Sequence, residues 1–342
     1  MKQASFLGDD KVTFEDVDIP RALDDWAVIK VTVAPLCTEY KQFYAGQTTG
    51  RIGHEAAGEV IESGPKATVL PGDRVVVMPS LACGRCKLCA SGFYVHCQNW
   101  HDYEAIQGST AGIGTVTQYL ARPSFLMLPV PYEIPIEQAA LAGCALGPTF
   151  GAMQKLNVTA SDTVLISGLG PVGLGGIVNG VFRGARVIAT DPAPWRLQRA
   201  RQMGIEDVFD PTQGDGLSRI LDLTDGEGVD YAIDCSGNIA AHRLSINATR
   251  RLGAIAFVGE CHDPLSINIS NDMLRKGISL VGNWHYNRKD YDKLLQVIRK
   301  SNLLNLLVSH RLPMEQIDLA FKVQQTTESA KILLFPWEPT AT

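Results

Sequence analysis

Val164-Leu-Ile-Ser-Gly168-Leu-Gly170-Pro-Val172-Gly173 reads as a buried strand that runs directly into a glycine turn and then a helix. In a Gly-x-Gly-x-x-Gly turn each glycine has its own task. Gly168 allows the tight turn, Gly170 lets the backbone approach a pyrophosphate, and Gly173 lets the helix pack closely on the strand. The helix N-terminus, with Val172 in its first turn, offers unpaired N–H groups and the positive end of its dipole, both suited to phosphate. The next strand, Arg186–Thr190, ends at Asp191, a carboxylate able to accept bonds from two ribose hydroxyls and to repel a 2′-phosphate. The expectation is therefore a dinucleotide site that takes NAD over NADP, with Arg196 either flanking the adenine or ribose or standing as a solvated helix charge.

Outward from this turn, strands are expected at Thr163–Ser167, Arg186–Thr190, Val229–Asp234, Ala254–Val258 and Ile278–Val281, with helical patterns between most of them. That alternation predicts an α/β architecture with a doubly wound parallel sheet. Before it, β-rich runs at Trp26–Pro35, Ala57–Ile61, Arg74–Met78 and Thr115–Ala121 predict a second, strand-rich lobe. A single long helix is expected over Glu137–Leu156. After Trp284 come helices near Lys289–Lys300 and Met314–Gln325 and an apolar strand at Lys331–Phe335, a tail expected to return to the first lobe.

With 342 residues, the chain exceeds what one hydrophobic core usually organises, so two are expected. A hydrophobic share of 45% and a net charge of −5 place it with folded globular proteins. No run of basic residues could neutralise a nucleic acid backbone or lie on an anionic membrane, so neither is an expected partner. Thr163–Phe182 is uncharged and long, but its six glycines, Pro171 and Asn179 fit a phosphate turn better than a membrane span. The first residues lack an apolar leader segment and contain Glu15 and Asp16, so a cytoplasmic location is expected.

Cys83-x2-Cys86-x2-Cys89-x7-Cys97 places four thiols within fifteen residues. Four soft ligands on a short loop match a closed tetrahedral zinc site, a structural ion. Disulfides would need an oxidising compartment, and an iron–sulfur cluster is the other rival. Cys37, His54 and Cys144 are each unremarkable alone. Cys235 and Cys261, in or just past apparent strands, read as core thiols.

The ordered series Cys37, Gly53-His54-Glu55, the four-cysteine loop, Gly143-Cys144, the glycine turn and Asp191 resembles the zinc-dependent alcohol dehydrogenases of the medium-chain superfamily, over essentially the whole chain. The resemblance implies a GroES-like catalytic domain over 1–147, rejoined by 285–342, and a Rossmann domain over 148–284, with the active site between them. It implies two zinc ions per chain. Cys37, His54 and Cys144 would hold the catalytic one with a fourth position open. Glu55 would stand behind that ion, and Lys331 would either reach the cofactor pyrophosphate or stand as a surface lysine. A homodimer or homotetramer joined through Rossmann edge strands is expected.

The run Cys37-Thr38-Glu39-Tyr40 departs from the family's Cys-x-Ser/Thr-Asp. If one residue is missing, Thr38 is the proton relay and Glu39 orients the ligand histidine. If none is missing, Glu39 takes the hydroxyl's place as a base. Gln42 stands where a relay histidine is often found. The implied reaction moves a hydride between NAD and a primary or secondary alcohol, or a polyol, and its carbonyl product. Trp100, His101, Tyr103, Trp284, His285 and Tyr286 either border the substrate or fill a domain interface. Two rival readings are a zinc-free, NADP-dependent reductase of the same superfamily and a non-catalytic NAD and zinc sensor.

Overall fold

The computed structural model describes residues 1–8, 11–46, 48 and 52–338. Two large sheets organise it. The first is six-stranded and wholly parallel, in the order Val208–Phe209, Arg186–Thr190, Thr163–Ser167, Val229–Asp234, Thr249–Phe257 and Ser279–Gly282. Val164, Leu165 and Ile166 are fully buried, because this central strand is covered on both faces. The strand order reverses between Thr163–Ser167 and Val229–Asp234. There the connections leave in opposite directions and open a crevice at the carboxyl ends of the strands.

The second sheet is seven-stranded and built around Trp26–Leu36. Ala56–Ser63 pairs with it antiparallel, followed in order by Arg74–Val77 and Met127–Pro129, while Tyr119–Pro123 also joins Trp26–Leu36. From the far end of the chain, Lys331–Phe335 pairs antiparallel with the same central strand, Ile332 opposite Leu36. That register sets Lys331 beside Cys37. The chain rejoins this sheet at Val308–Pro313, after the helix Tyr291–Lys300 has packed against the Rossmann-side helix Pro171–Phe182. A hairpin, Lys2–Gly8 with Lys11–Asp16, has no counterpart in the sequence reading.

The expected long helix over Glu137–Leu156 is broken. It is two helices, Ile136–Ala140 and Gly147–Leu156, with a turn between them that carries Gly143 and Cys144. Local composition favours helix throughout, so the break has a tertiary cause: a Cβ at Gly143 would lie 2.5 Å from Glu55 Oε2, and the Cys144 N–H donates to that same oxygen at 2.8 Å. The uncharged stretch Thr163–Phe182 is a strand followed by a twelve-residue helix, and among the described residues no helix is long and apolar enough to cross a membrane.

Candidate active site

The four-cysteine loop brings its sulfurs within 4.8 Å of one another. Cys86 Sγ lies 3.5 Å from Cys89 Sγ and 3.9 Å from Cys97 Sγ, and Cys97 Sγ lies 3.6 Å from Cys83 Sγ. A tetrahedron with zinc–sulfur bonds of about 2.3 Å has edges of about 3.8 Å, so these four atoms already outline one ion's shell. The separations are far beyond a sulfur–sulfur bond of about 2.0 Å, and all eight cysteines are free.

The second cluster is assembled from three distant parts of the chain. Cys37 follows the central strand Trp26–Leu36, His54 and Glu55 precede the strand Ala56–Ser63, and Cys144 comes from the turn between the two helices. Their ligand atoms also lie within 4.8 Å of one another, with His54 Nε2 3.1 Å from Cys144 Sγ. Two thiolates and an imidazole suit zinc. Glu55 is engaged elsewhere: its Oε2 accepts the Cys144 N–H, and its Oε1 accepts the Lys331 ammonium. It therefore braces the ligand turn.

Glu39 resolves the altered motif. Its Oε1 lies 2.8 Å from His54 Nδ1, and its Oε2 accepts the Cys37 N–H at 2.6 Å. With Nδ1 held on Glu39, Nε2 is the ring nitrogen turned toward the Cys144 sulfur. Burial alone would raise the Glu39 carboxyl, but the facing His54, with a backbone hydrogen bond and Lys331 beside it, brings the value down to about 2. The same pairing raises His54 well above its ordinary range against the effect of burial. The hydrogen bond between Cys37 and Cys144 pulls the Cys37 thiol down and pushes the Cys144 thiol up, burial adding to the latter. The geometry is that of the reading in which one residue is missing, leaving Thr38 facing the cleft beside Cys37.

Lys331 requires a correction. Expected at the pyrophosphate, it is fully buried with its ammonium on Glu55. Burial would lower its affinity for the proton, but Glu55 and then the Cys37 thiolate raise it. Glu55 itself is raised by burial, with Lys331 pulling the other way.

A single cleft of about 1130 Å3 is lined by Gly168, Gly170, Val172, Asp191 and Arg196 and also by Cys37 and Thr38. Gly173 has no room for a side chain, since a Cβ would lie 1.8 Å from the Gly168 carbonyl oxygen. A Cβ at Gly170 would meet nothing nearer than Arg196 at 3.9 Å, so the backbone there fronts open space of the kind a pyrophosphate fills. Asp191 accepts from the Leu169 and Ala193 N–H groups at 2.7 and 2.8 Å, which fixes its carboxylate at the border of the cleft. Arg196 lies 3.5 Å from Asp191 and faces inward, rather than standing as a solvated charge.

None of the six aromatic or imidazole residues flagged as borders lines this cleft. Tyr103, His285 and Tyr286 are buried, and Trp100 and Trp284 are half exposed. Cys235 packs against the larger core, as expected, and also borders the cleft, whereas Cys261 is not a core thiol: it is partly exposed, with its Sγ 3.8 Å from the Asp263 carbonyl. Tyr40, Gln324, Thr327 and Ser329 also line the cleft. Tyr40 lies in the altered run after Cys37, and no motif marks the other three, which arrive with the C-terminal return of the chain to this lobe.

Fold and site together define a two-lobed, zinc-binding, nucleotide-dependent dehydrogenase. Residues 171–300 match the zinc-binding dehydrogenase family and residues 23–132 the alcohol dehydrogenase GroES-like domain. The chain is 31% identical to the L-threonine 3-dehydrogenase of Symbiobacterium thermophilum, covering 95% of this chain and 94% of that protein. It is 29% identical to the sorbitol dehydrogenase of Bacillus subtilis, covering 98% and 97%. The alcohol dehydrogenase TADH of Thermus sp. ATN1 superposes with a TM-score of 0.89 at 26% identity, over 98% of this chain and 99% of that one. The chain belongs to the zinc-dependent alcohol dehydrogenase family of the medium-chain superfamily. It is an oxidoreductase acting on alcohols, and the zinc-free and sensor readings are not favoured.

Proposed function

We propose that this chain uses NAD to interconvert a primary or secondary alcohol, or a polyol, with its carbonyl compound, and holds two zinc ions. The observation that carries the reading is the shared cleft: the glycine turn and Asp191 open onto the same space as Cys37 and Thr38.

Cys37, His54 and Cys144 would hold the catalytic ion, and Cys83, Cys86, Cys89 and Cys97 the structural one. A catalytic zinc supplies Lewis acidity, lowering a bound hydroxyl's pKa as it lowers that of water from 15.7 to about 7. The nicotinamide supplies the hydride acceptor. The remaining work falls to side chains. Gly168, Gly170 and the first turn at Val172 bind the pyrophosphate. Asp191 accepts from the ribose hydroxyls and disfavours a 2′-phosphate. Thr38 Oγ1, beside the metal ligands, takes the substrate's hydroxyl proton and hands it outward. Glu39 is committed to His54 and does not serve as the base. In the reverse direction Thr38 returns the proton. The subunits are proposed to associate as a homodimer or homotetramer.

The test has two parts. Metal analysis should find two zinc ions per chain, one lost faster to chelators, and a panel of alcohols, polyols and amino alcohols should reduce NAD in preference to NADP. One ion or none, or a preference for NADP, would contradict the proposal.

A further inference from the structure

The segment from Asn283 to Arg288 touches both metal-binding regions. On one side it holds the four-cysteine loop. Asn287 Nδ2 donates to the Ser91 carbonyl at 2.9 Å, and the Arg288 N–H donates to the Gly92 carbonyl at 3.0 Å. Gly92 has a φ of +89°, and a Cβ there would lie 2.0 Å from Asn287 Oδ1, so the Asn287 side chain fills the space a side chain at Gly92 would need. On the other side the segment lies against the Cys144 turn and the helix that follows it. Asn283 Nδ2 donates to the Pro148 carbonyl at 2.8 Å. A Cβ at Gly147 would lie 2.7 Å from His285 Cε1, and one at Gly151 would lie 2.7 Å from the His285 carbonyl oxygen.

One hydrogen bond joins the two sides through side chains. Tyr94, fully buried between ligands Cys89 and Cys97, has its hydroxyl 2.9 Å from His285 Nδ1. Tyr94 opens the short turn Tyr94–His96 that leads into Cys97, whose N–H donates to the Tyr94 carbonyl at 3.0 Å. The His285 ring cannot shift without pressing on Gly147, four residues from Gly143 and joined to it by the Gly147 N–H to Gly143 carbonyl bond of 3.0 Å. Breaking a buried bond of this kind leaves a polar group unsatisfied, so the pair moves together. Packing alone would explain a filled interface. It does not explain a polar link between two buried rings, each fixed to a different ligand segment.

We propose that His285 is a positioning residue which, through Tyr94, registers the Cys144 turn against the four-cysteine loop, so that the loop's order sets how tightly the catalytic site keeps its metal. This rests on the reading of two metal centres given above. Partners that orient a metal's ligands typically govern affinity by about 10–100-fold when removed.

The test uses the holoenzyme with cobalt in the catalytic site, whose thiolate absorption bands report its coordination, and follows metal release to a chromophoric chelator. Tyr94→Phe keeps the ring and removes only the hydroxyl. It should release catalytic cobalt about tenfold faster and shift the absorption bands, and His285→Asn, which keeps a polar atom near the Nδ1 position, should stay within about twofold of wild type. Unchanged bands and release in Tyr94→Phe, with only a lower melting temperature, would overturn the proposal. If Tyr94→Phe does not fold, His285→Phe cuts the same bond from the other side and is read in the same way. Failure of both to fold would assign the pair to structure alone and equally overturn it. A wild-type chain that binds a single ion would instead remove the two-centre reading.

Discussion

The carboxylate of Glu39 lies 2.8 Å from Nδ1 of His54 and fixes that imidazole with Nε2 toward Cys37 and Cys144. The family's motif uses an aspartate one residue later. Here Glu39, one position nearer to Cys37, reaches the imidazole with a side chain one methylene longer.

Glu39→Gln should weaken metal binding at the Cys37–His54–Cys144 site by about 10–100-fold, read by chelator competition. Glu39→Asp should lose nearly as much, because the shortened side chain no longer spans the gap. An aspartate variant with wild-type affinity would show that the missing residue is not what the glutamate replaces.

Gly143 faces Glu55 with no space between them. Gly143→Ala should destabilise the fold by about 1–3 kcal/mol in chemical denaturation and lower zinc retention, since the methyl group must displace the carboxylate that holds Cys144. A substitution with no effect on either would mean that the turn is held by something other than Glu55.

Asp191→Gly should relax discrimination against NADP, read as the ratio of kcat/KM for the two cofactors. Unchanged preference would place the discriminating group elsewhere in the cleft, with Arg196 the next residue to test.

His285 contributes a pH dependence whose sign follows from burial. Desolvation, aided by the facing His54, pulls the imidazole down to about 3, whereas an unfolded chain titrates it near 6.5. The stability it carries is complete above about pH 6.5 and falls as the unfolded state takes up a proton between about 6.5 and 3. Measured against His285→Asn, wild type should keep a constant margin above pH 6.5 and lose about 1.4 kcal/mol of it per pH unit below. Parallel stability curves across this range would show that the imidazole is not held neutral.

The parts of this structure that a sequence announces are those whose determinants are contiguous. The strands Thr163–Ser167, Arg186–Thr190 and Val229–Asp234 are found where the β-rich runs put them, and the four-cysteine loop closes on itself within its own few residues. What was hidden depends on distant partners. Glycine and alanine around Cys144 read as helix, and only the approach of Glu55 breaks it. Lys331 reads as a surface lysine or a cofactor ligand until the pairing of Ile332 with Leu36 carries it beside Cys37 and onto Glu55. The choice between Thr38 and Glu39 as the relay stayed open because one residue's shift decides which side chain faces His54.

The central claim is that Cys37, His54 and Cys144 hold a catalytic zinc in the cleft that binds the cofactor. Its most direct test is His54→Ala, assayed together for zinc content, NADH binding by fluorescence, and turnover of an alcohol accepted by wild type. The account predicts a folded chain that retains one zinc ion and binds NADH but does not turn over; an active His54→Ala enzyme, or one still holding two ions, would contradict it.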